Sequence, residues 1–112
     1  MTECLFCRIA ARDVPASMVY EDDDVVAFRD IRPKYRTHIL LIPTAHIASA
    51  AALTSAHDTV VGKLLRVGAD VARQEGIADS GFRLLTNAGP DSGQVVDHLH
   101  VHLLGGEPLH PL

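Results

Sequence analysis

The chain has no tryptophan and only two cysteines, Cys4 and Cys7. A disulfide framework is therefore not what holds the fold together. No apolar run approaches the ~20 residues of a membrane span, which excludes a transmembrane helix. The opening Met1-Thr2-Glu3-Cys4 lacks the basic region and long apolar stretch of a secretory leader, so a cytoplasmic location is expected. An excess of positive charge is missing too. With a net charge of -4, neither nucleic acid nor an anionic membrane is expected as a partner, although single phosphates can still be held locally. There is no Gly-Lys-Ser/Thr element for a P-loop, and no serine in a nucleophile turn for Ser-His-Asp hydrolysis. Internal repeats and low-complexity linkers are also absent.

What is present suits one compact domain over residues 1–112. That is enough chain for a single core, yet small enough for an oligomer interface to add useful burial. Residues 4–12 carry Leu5, Phe6 and Ile9 on one helical face, and Pro15 is expected to end that short helix. Met18-Val19-Tyr20 and Val25-Val26-Ala27-Phe28 read as a hairpin around the acidic turn Glu21-Asp22-Asp23-Asp24, a solvated loop rather than a cation site. The run Thr37-His38-Ile39-Leu40-Leu41-Ile42, stopped by Pro43, is an apolar central strand. A long helix is expected from a Ser55 cap to about Glu75, with Gly76 as its stop. Its apolar stripe is broad enough to meet the sheet and a second subunit. A strand over residues 82–86, a turn-rich loop over 87–94 and a final strand from His98 follow, with residues 105–112 as an extended tail. The class is α+β, with a mainly antiparallel sheet, one long helix and a short N-terminal helix.

The final strand carries the chemistry. In His98-Leu99-His100-Val101-His102 the histidines alternate with aliphatic residues, so three imidazoles share a face about 6.6 Å apart along it. That spacing lets several of them contact one small anionic group. Imidazole can act near neutral pH as nucleophile, base or phosphate partner, whereas Thr, Lys or Glu would solvate the same face without titrating near neutral pH. His100 is flanked on both sides, and the Gly93-Gln94 turn can add backbone amides and a neutral amide side chain. Cys4-x-x-Cys7 has metal-ligand spacing, with His46 and His98 as candidates for the other pair. A redox dithiol, or two thiols with no joint role, fits the same spacing.

The His-x-His-x-His element followed by Leu103-Leu104 resembles the signature of the histidine triad family of nucleotide hydrolases and transferases. Phe28-Arg29-Asp30-Ile31, Thr37 through Ile47, and Asn87-Ala88-Gly89 with Gly93-Gln94 extend the likeness, to its purine nucleoside phosphoramidase branch, over nearly the whole chain. The resemblance implies a homodimer acting on purine nucleotides. His100 would be the nucleophile that forms a nucleotidyl-histidine, His102 would bind the phosphate, and His38 would orient the triad from behind. It places Asn87, Gly93, Gln94 and the Val95 backbone at the phosphate, Asp30 at the ribose hydroxyls, and Leu5, Phe6, Ile9, Phe28 and Ile31 around the base. It also implies a structural zinc held by Cys4, Cys7, His46 and His98. His57 and His110 match nothing in the pattern. Val95 stands where many phosphoramidases have serine, Arg29 replaces a common histidine, and the tail lacks a tryptophan that some relatives carry. Diadenosine polyphosphate hydrolysis, nucleotidyl transfer, or nucleotide binding with incidental turnover are the alternatives.

Overall fold

The computed structural model describes residues 4–112. Five strands, β1 (Met18–Glu21), β2 (Val25–Arg29), β3 (Thr37–Pro43), β4 (Phe82–Leu85) and β5 (Val101–Gly105), form one antiparallel sheet. The order across the sheet is β1-β2-β3-β5-β4. Two α-helices, α1 (Leu5–Ala10) and α2 (Asp58–Gln74), complete the α+β arrangement.

Alternation along β3 divides the interior into two parts. Ile39 and Leu41 point, with Val25, Ala27 and Leu103, toward Leu64, Val67, Val71 and Ala72 of α2. Leu40 and Ile42 point the other way with Val26 and Phe28, against Phe6 and Ile9 of α1. Because both faces are covered, β3 is buried along its whole length, and its apolar run shows no polar alternation. Each fully buried aliphatic side chain here contributes about 2 kcal/mol. Gly68 lets β4 approach α2: a Cβ there would stand 3.0 Å from a methyl of Leu84.

Several boundaries differ from the sequence expectation. Helix α1 stops well before Pro15, because Arg12 turns into the left-handed region at φ 63° and donates its amide to Ile9 O at 3.0 Å. Thr54, not Ser55, is the cap before the long helix. Its hydroxyl accepts from the Ala56 amide, while His57 Nδ1 accepts from the Thr54 amide at 2.9 Å. A 3-10 turn, Ser55–His57, then leads into α2. The acidic turn is a clamp: Lys63 of α2 reaches Asp22 and Asp24 at 2.9 Å each, and Asp22 accepts from the amides of Asp24 and Val25. Burial pushes the Asp22 carboxyl up, but bonds from Tyr20, Lys63 and the two amides outweigh it and hold the group below its usual range.

The last strand begins at Val101 rather than His98. Its ladder with β3 runs from Thr37↔Gly105 to Leu41↔Val101, and beyond that the Leu99 amide turns to Ile47 O at 2.6 Å. Alternation nevertheless persists through residues 98–100, since Leu99, Val101 and Leu103 all join the core on the α2 side. Gly105 is the last strand residue, and the tail that follows is tied back by Arg83 to His110 O at 3.0 Å.

Candidate functional site

The three triad histidines lie on the α1 side of the sheet, where the Phe6 ring packs edge-on to His98 and His100 at centroid distances of 6.0 and 5.1 Å. His100 and His102 are 5.0 Å apart by ring centroids, and His102 is 5.2 Å from His38 of β3. His38 and His102 meet because β3 and β5 pair as neighbours with Leu40 opposite His102.

Backbone groups fix the tautomers. The Lys34 amide, which can only donate, lies 3.0 Å from His38 Nδ1, so a neutral His38 carries its proton on Nε2. That proton is directed at His102 Nδ1, 2.9 Å away, which leaves the His102 proton on Nε2. Asp30 sits beside the pair, with Oδ2 3.4 Å from His38 Nε2, while its Oδ1 accepts from the Arg32 amide. His100 takes the opposite form. Its Nδ1 donates to the carbonyl of His98 at 2.7 Å, and the lone pair is left on Nε2. His98 donates from Nε2 to Pro43 O at 2.9 Å and keeps its lone pair on Nδ1.

Burial, followed by the neighbouring His100 and His38, pushes the His102 pKa down to about 4. Burial likewise lowers His38, against an opposing pull from Asp30. Both rings are therefore uncharged at neutral pH, and His102 presents a hydrogen-bond donor rather than a cation.

A cleft of about 420 Å³ opens over this face. Its walls include Leu5, Phe6 and Ile9 of α1, Phe28 of β2, Asp30 and Ile31 just after it, and Val95, His100 and His102. Ile31 and Val95 are 91% and 89% exposed, so the rim of the cleft is apolar and open to solvent. An exposed apolar rim around a few polar groups is the usual form of a small-ligand site. The cleft also uses Val14, Pro15, Ala16, Leu40 and Val96, residues whose sequence gave no signal beyond core or loop.

Asn87, Gly93 and Gln94 do not stand in the walls of that cleft. Gln94 is spent on backbone groups: its Oε1 accepts from the Gly89 amide at 2.8 Å, and its Nε2 donates to the carbonyls of Ala48 and Val96 at 2.9 and 3.0 Å. Gly93 takes φ 92°, the left-handed turn after the 3-10 segment Pro90–Ser92, where a side chain would be strained. Arg29 forms a two-pronged pair with Glu75 at 2.8 and 2.9 Å, tying the end of β2 to the end of α2.

A second cluster lies at the N-terminus of α1. Ligand atoms of Cys4, Cys7, His46 and His98 all lie within 4.8 Å of one another. His98 Nδ1 is 3.2 Å from Cys4 Sγ and 3.4 Å from Cys7 Sγ, and His46 Nδ1 is 3.3 Å from Cys7 Sγ. These separations approach the edges of a tetrahedron with bonds of about 2.0–2.3 Å, and two sulfurs with two imidazoles form a zinc donor set. The orientation fits as well, since the His98–Pro43 bond aims an unprotonated Nδ1 at the sulfurs. Asp30, His38 and His102 also group closely, but the Lys34 amide puts a proton on the His38 nitrogen that a metal would need.

Positions carried by backbone atoms, such as Pro43 O and the Lys34 amide, leave no mark in the sequence because every residue type supplies the carbonyl and every type but proline the amide. Among the described residues no helix is long and apolar enough to cross a membrane.

Comparison with known proteins gives a consistent result. The chain is 46% identical over 110 residues to the purine nucleoside phosphoramidase of Escherichia coli K12, covering 98% of this chain and 92% of that one. It is 44% identical over 107 residues to a 14 kDa zinc-binding protein of Zea mays, covering 94% of this chain and 83% of that one. A HIT family hydrolase from Clostridium thermocellum superposes with a TM-score of 0.96 at 39% identity, covering 100% and 97% of the two chains. The HIT domain model matches residues 11–109, and the chain belongs to the HIT family.

Proposed function

We propose that this protein is a nucleotide hydrolase that cleaves purine nucleoside 5′-phosphoramidates to the nucleoside monophosphate through a nucleotidyl-histidine intermediate on His100. The observation that carries the reading is the opposed pair of tautomers: His100 holds a lone pair on Nε2, and His102 beside it holds a proton on Nε2. A nucleophile and a phosphate donor thus stand side by side in one cleft.

In the first step the His100 Nε2 lone pair forms a bond to phosphorus and the P–N bond of the substrate breaks, its electron pair leaving with the amine. The amine nitrogen takes its proton from solvent. The His102 Nε2–H donates to a nonbridging oxygen as negative charge builds there. In the second step water forms the new O–P bond, the His100–phosphorus electron pair returns to Nε2, and the spare proton of the water passes to solvent. In this reading Asp30 accepts from the ribose hydroxyls and the apolar wall of Leu5, Phe6, Ile9, Phe28 and Ile31 holds the purine, a reading supported by their sharing one cleft. Asn87, Gly93, Gln94 and Val95 form the loop at the phosphate; in this reading Gln94 holds the loop's shape and Val95 borders the scissile group.

Zinc at Cys4, Cys7, His46 and His98 would supply no chemistry to the reaction. It would tie α1, and with it one wall of the cleft, to the residue beside the nucleophile. A homodimer in the cytoplasm completes the proposal, supported by Leu65, an apolar residue of α2 left 47% exposed, and by the half-buried edge strand β4. Incubating the purified protein with adenosine 5′-phosphoramidate tests the reading. Release of the monophosphate, with capture of a nucleotidyl adduct at His100, is expected; a protein that binds monophosphate but turns over neither phosphoramidates nor dinucleoside polyphosphates would replace it with a binding module.

A further inference from the structure

We propose that Thr86 is a positioning residue for the nucleophile, its hydroxyl fixing the His100 backbone against the loop that begins one residue later at Asn87. The Thr86 Oγ1 donates to the carbonyl oxygen of His100 at 2.7 Å. The pairing of β4 with β5 ends at Leu85↔His102, so that carbonyl lies beyond the last rung of the ladder. A side chain extends the sheet by one bond at the point where the chain leaves strand geometry. Residues 98–100 are also held on the backbone by the His98 amide to Val96 O and the Leu99 amide to Ile47 O, and by two imidazoles, His98 to Pro43 O and His100 to His98 O.

The bond joins two parts that must stay in register. On one side is the segment carrying the reacting nitrogen, and on the other the loop over residues 87–94, which Gln94 braces to itself at Gly89 and outward to Ala48 O. With the hydroxyl gone, the loop keeps its own bonds and the cleft keeps its apolar walls, while the His100 backbone loses its direct tie to the strand end from which the loop begins. Thr86 is exposed, so water replaces the hydroxyl as partner of the carbonyl and the fold loses little. Errors of about 1 Å in the placement of reacting groups cost up to roughly 100-fold in rate, whereas binding of the nucleoside in the cleft does not depend on that placement.

The inference rests on His100 being the nucleophile in the reaction proposed above. Thr86→Val, nearly the same shape without the hydroxyl, should lower kcat on adenosine 5′-phosphoramidate by about 10-fold with KM within about 2-fold and the thermal midpoint unchanged. Thr86→Ser should restore kcat. Wild-type kcat in Thr86→Val, a serine variant as slow as the valine one, or a loss of rate that follows a loss of Tm would each overturn the proposal. The imidazole nitrogen signals of His100 in a 15N-histidine spectrum supply a readout that needs no turnover. They should move in Thr86→Val and return in Thr86→Ser, and unchanged signals overturn the positioning role. A wild-type protein with no turnover of any nucleotide would instead defeat the functional reading, leaving the spectra to decide on Thr86.

Discussion

The carbonyl of His98 accepts the Nδ1 proton of His100 at 2.7 Å, so one residue whose ring faces the sulfur cluster also fixes the tautomer of the ring two positions on. The link is a single backbone oxygen. It requires no charge on His98 and survives any substitution that keeps the backbone path.

His100→Asn keeps a polar side chain of similar reach but removes the nitrogen proposed as the nucleophile. Release of monophosphate from adenosine 5′-phosphoramidate should fall by roughly 1,000-fold or more. Adduct trapping followed by mass spectrometry should show no labelled chain, with binding of the monophosphate retained.

His38 holds His102 in the form that presents Nε2–H, because the Lys34 amide donates to His38 Nδ1 and His38 Nε2–H in turn donates to His102 Nδ1. His38→Leu should lower kcat by about 10- to 100-fold, because His102 then settles in either tautomer. Steady-state kinetics should show the loss in kcat more than in KM.

The depressed pKa values of His102 and His38 make a stability prediction with a definite sign. Above the ordinary histidine value of about 6.5 both states are neutral and the groups contribute nothing to pH dependence. As pH falls from there toward about 4, the unfolded chain takes up protons that folded His102 refuses, so stability is lost on the acid side. Denaturant midpoints measured from pH 7 to pH 4.5 should decrease steadily, and a His38→Gln/His102→Gln double variant should show a shallower slope.

Metal analysis of purified protein should give about one zinc per chain if the four-residue cluster is a complete tetrahedral site. Cys4→Ser with Cys7→Ser should remove it and lower Tm. Stoichiometric zinc in that double variant would rule out the ligand set. Because α1 carries Leu5, Phe6 and Ile9 of the cleft wall, metal loss should also raise KM for the nucleotide.

Leu41 is completely buried against α2. Leu41→Ala should cost about 3 kcal/mol by the lost transfer energy and the cavity left behind. Equilibrium denaturation reads that cost, and KM for nucleotide at low temperature should remain close to wild type.

Much of this was legible in the sequence because it depends on alternation. The histidine face, the central position of β3 and the extent of α2 all follow from which residues recur at period two or at helical spacing. Where a backbone atom decides the outcome, the sequence is silent: the late start of β5 comes from Leu99 turning to Ile47, and the end of α1 from the positive φ of Arg12. Gln94 shows a third case. Its residue type fits a ligand contact, but backbone groups of Gly89, Val96 and Ala48 claim its amide first, leaving the apolar Val95 to face the cleft.

The division of β3 into two sets of side chains separates robustness from chemistry. Changes at Ile39 or Leu41 act on the layer beneath α2, while changes at Leu40 or Ile42 act on the layer that shapes the cleft. A lineage could therefore harden the first layer against heat without retuning substrate choice, or remodel the second on a scaffold that stays intact. Two nearly independent dials are set by neighbouring residues of one strand.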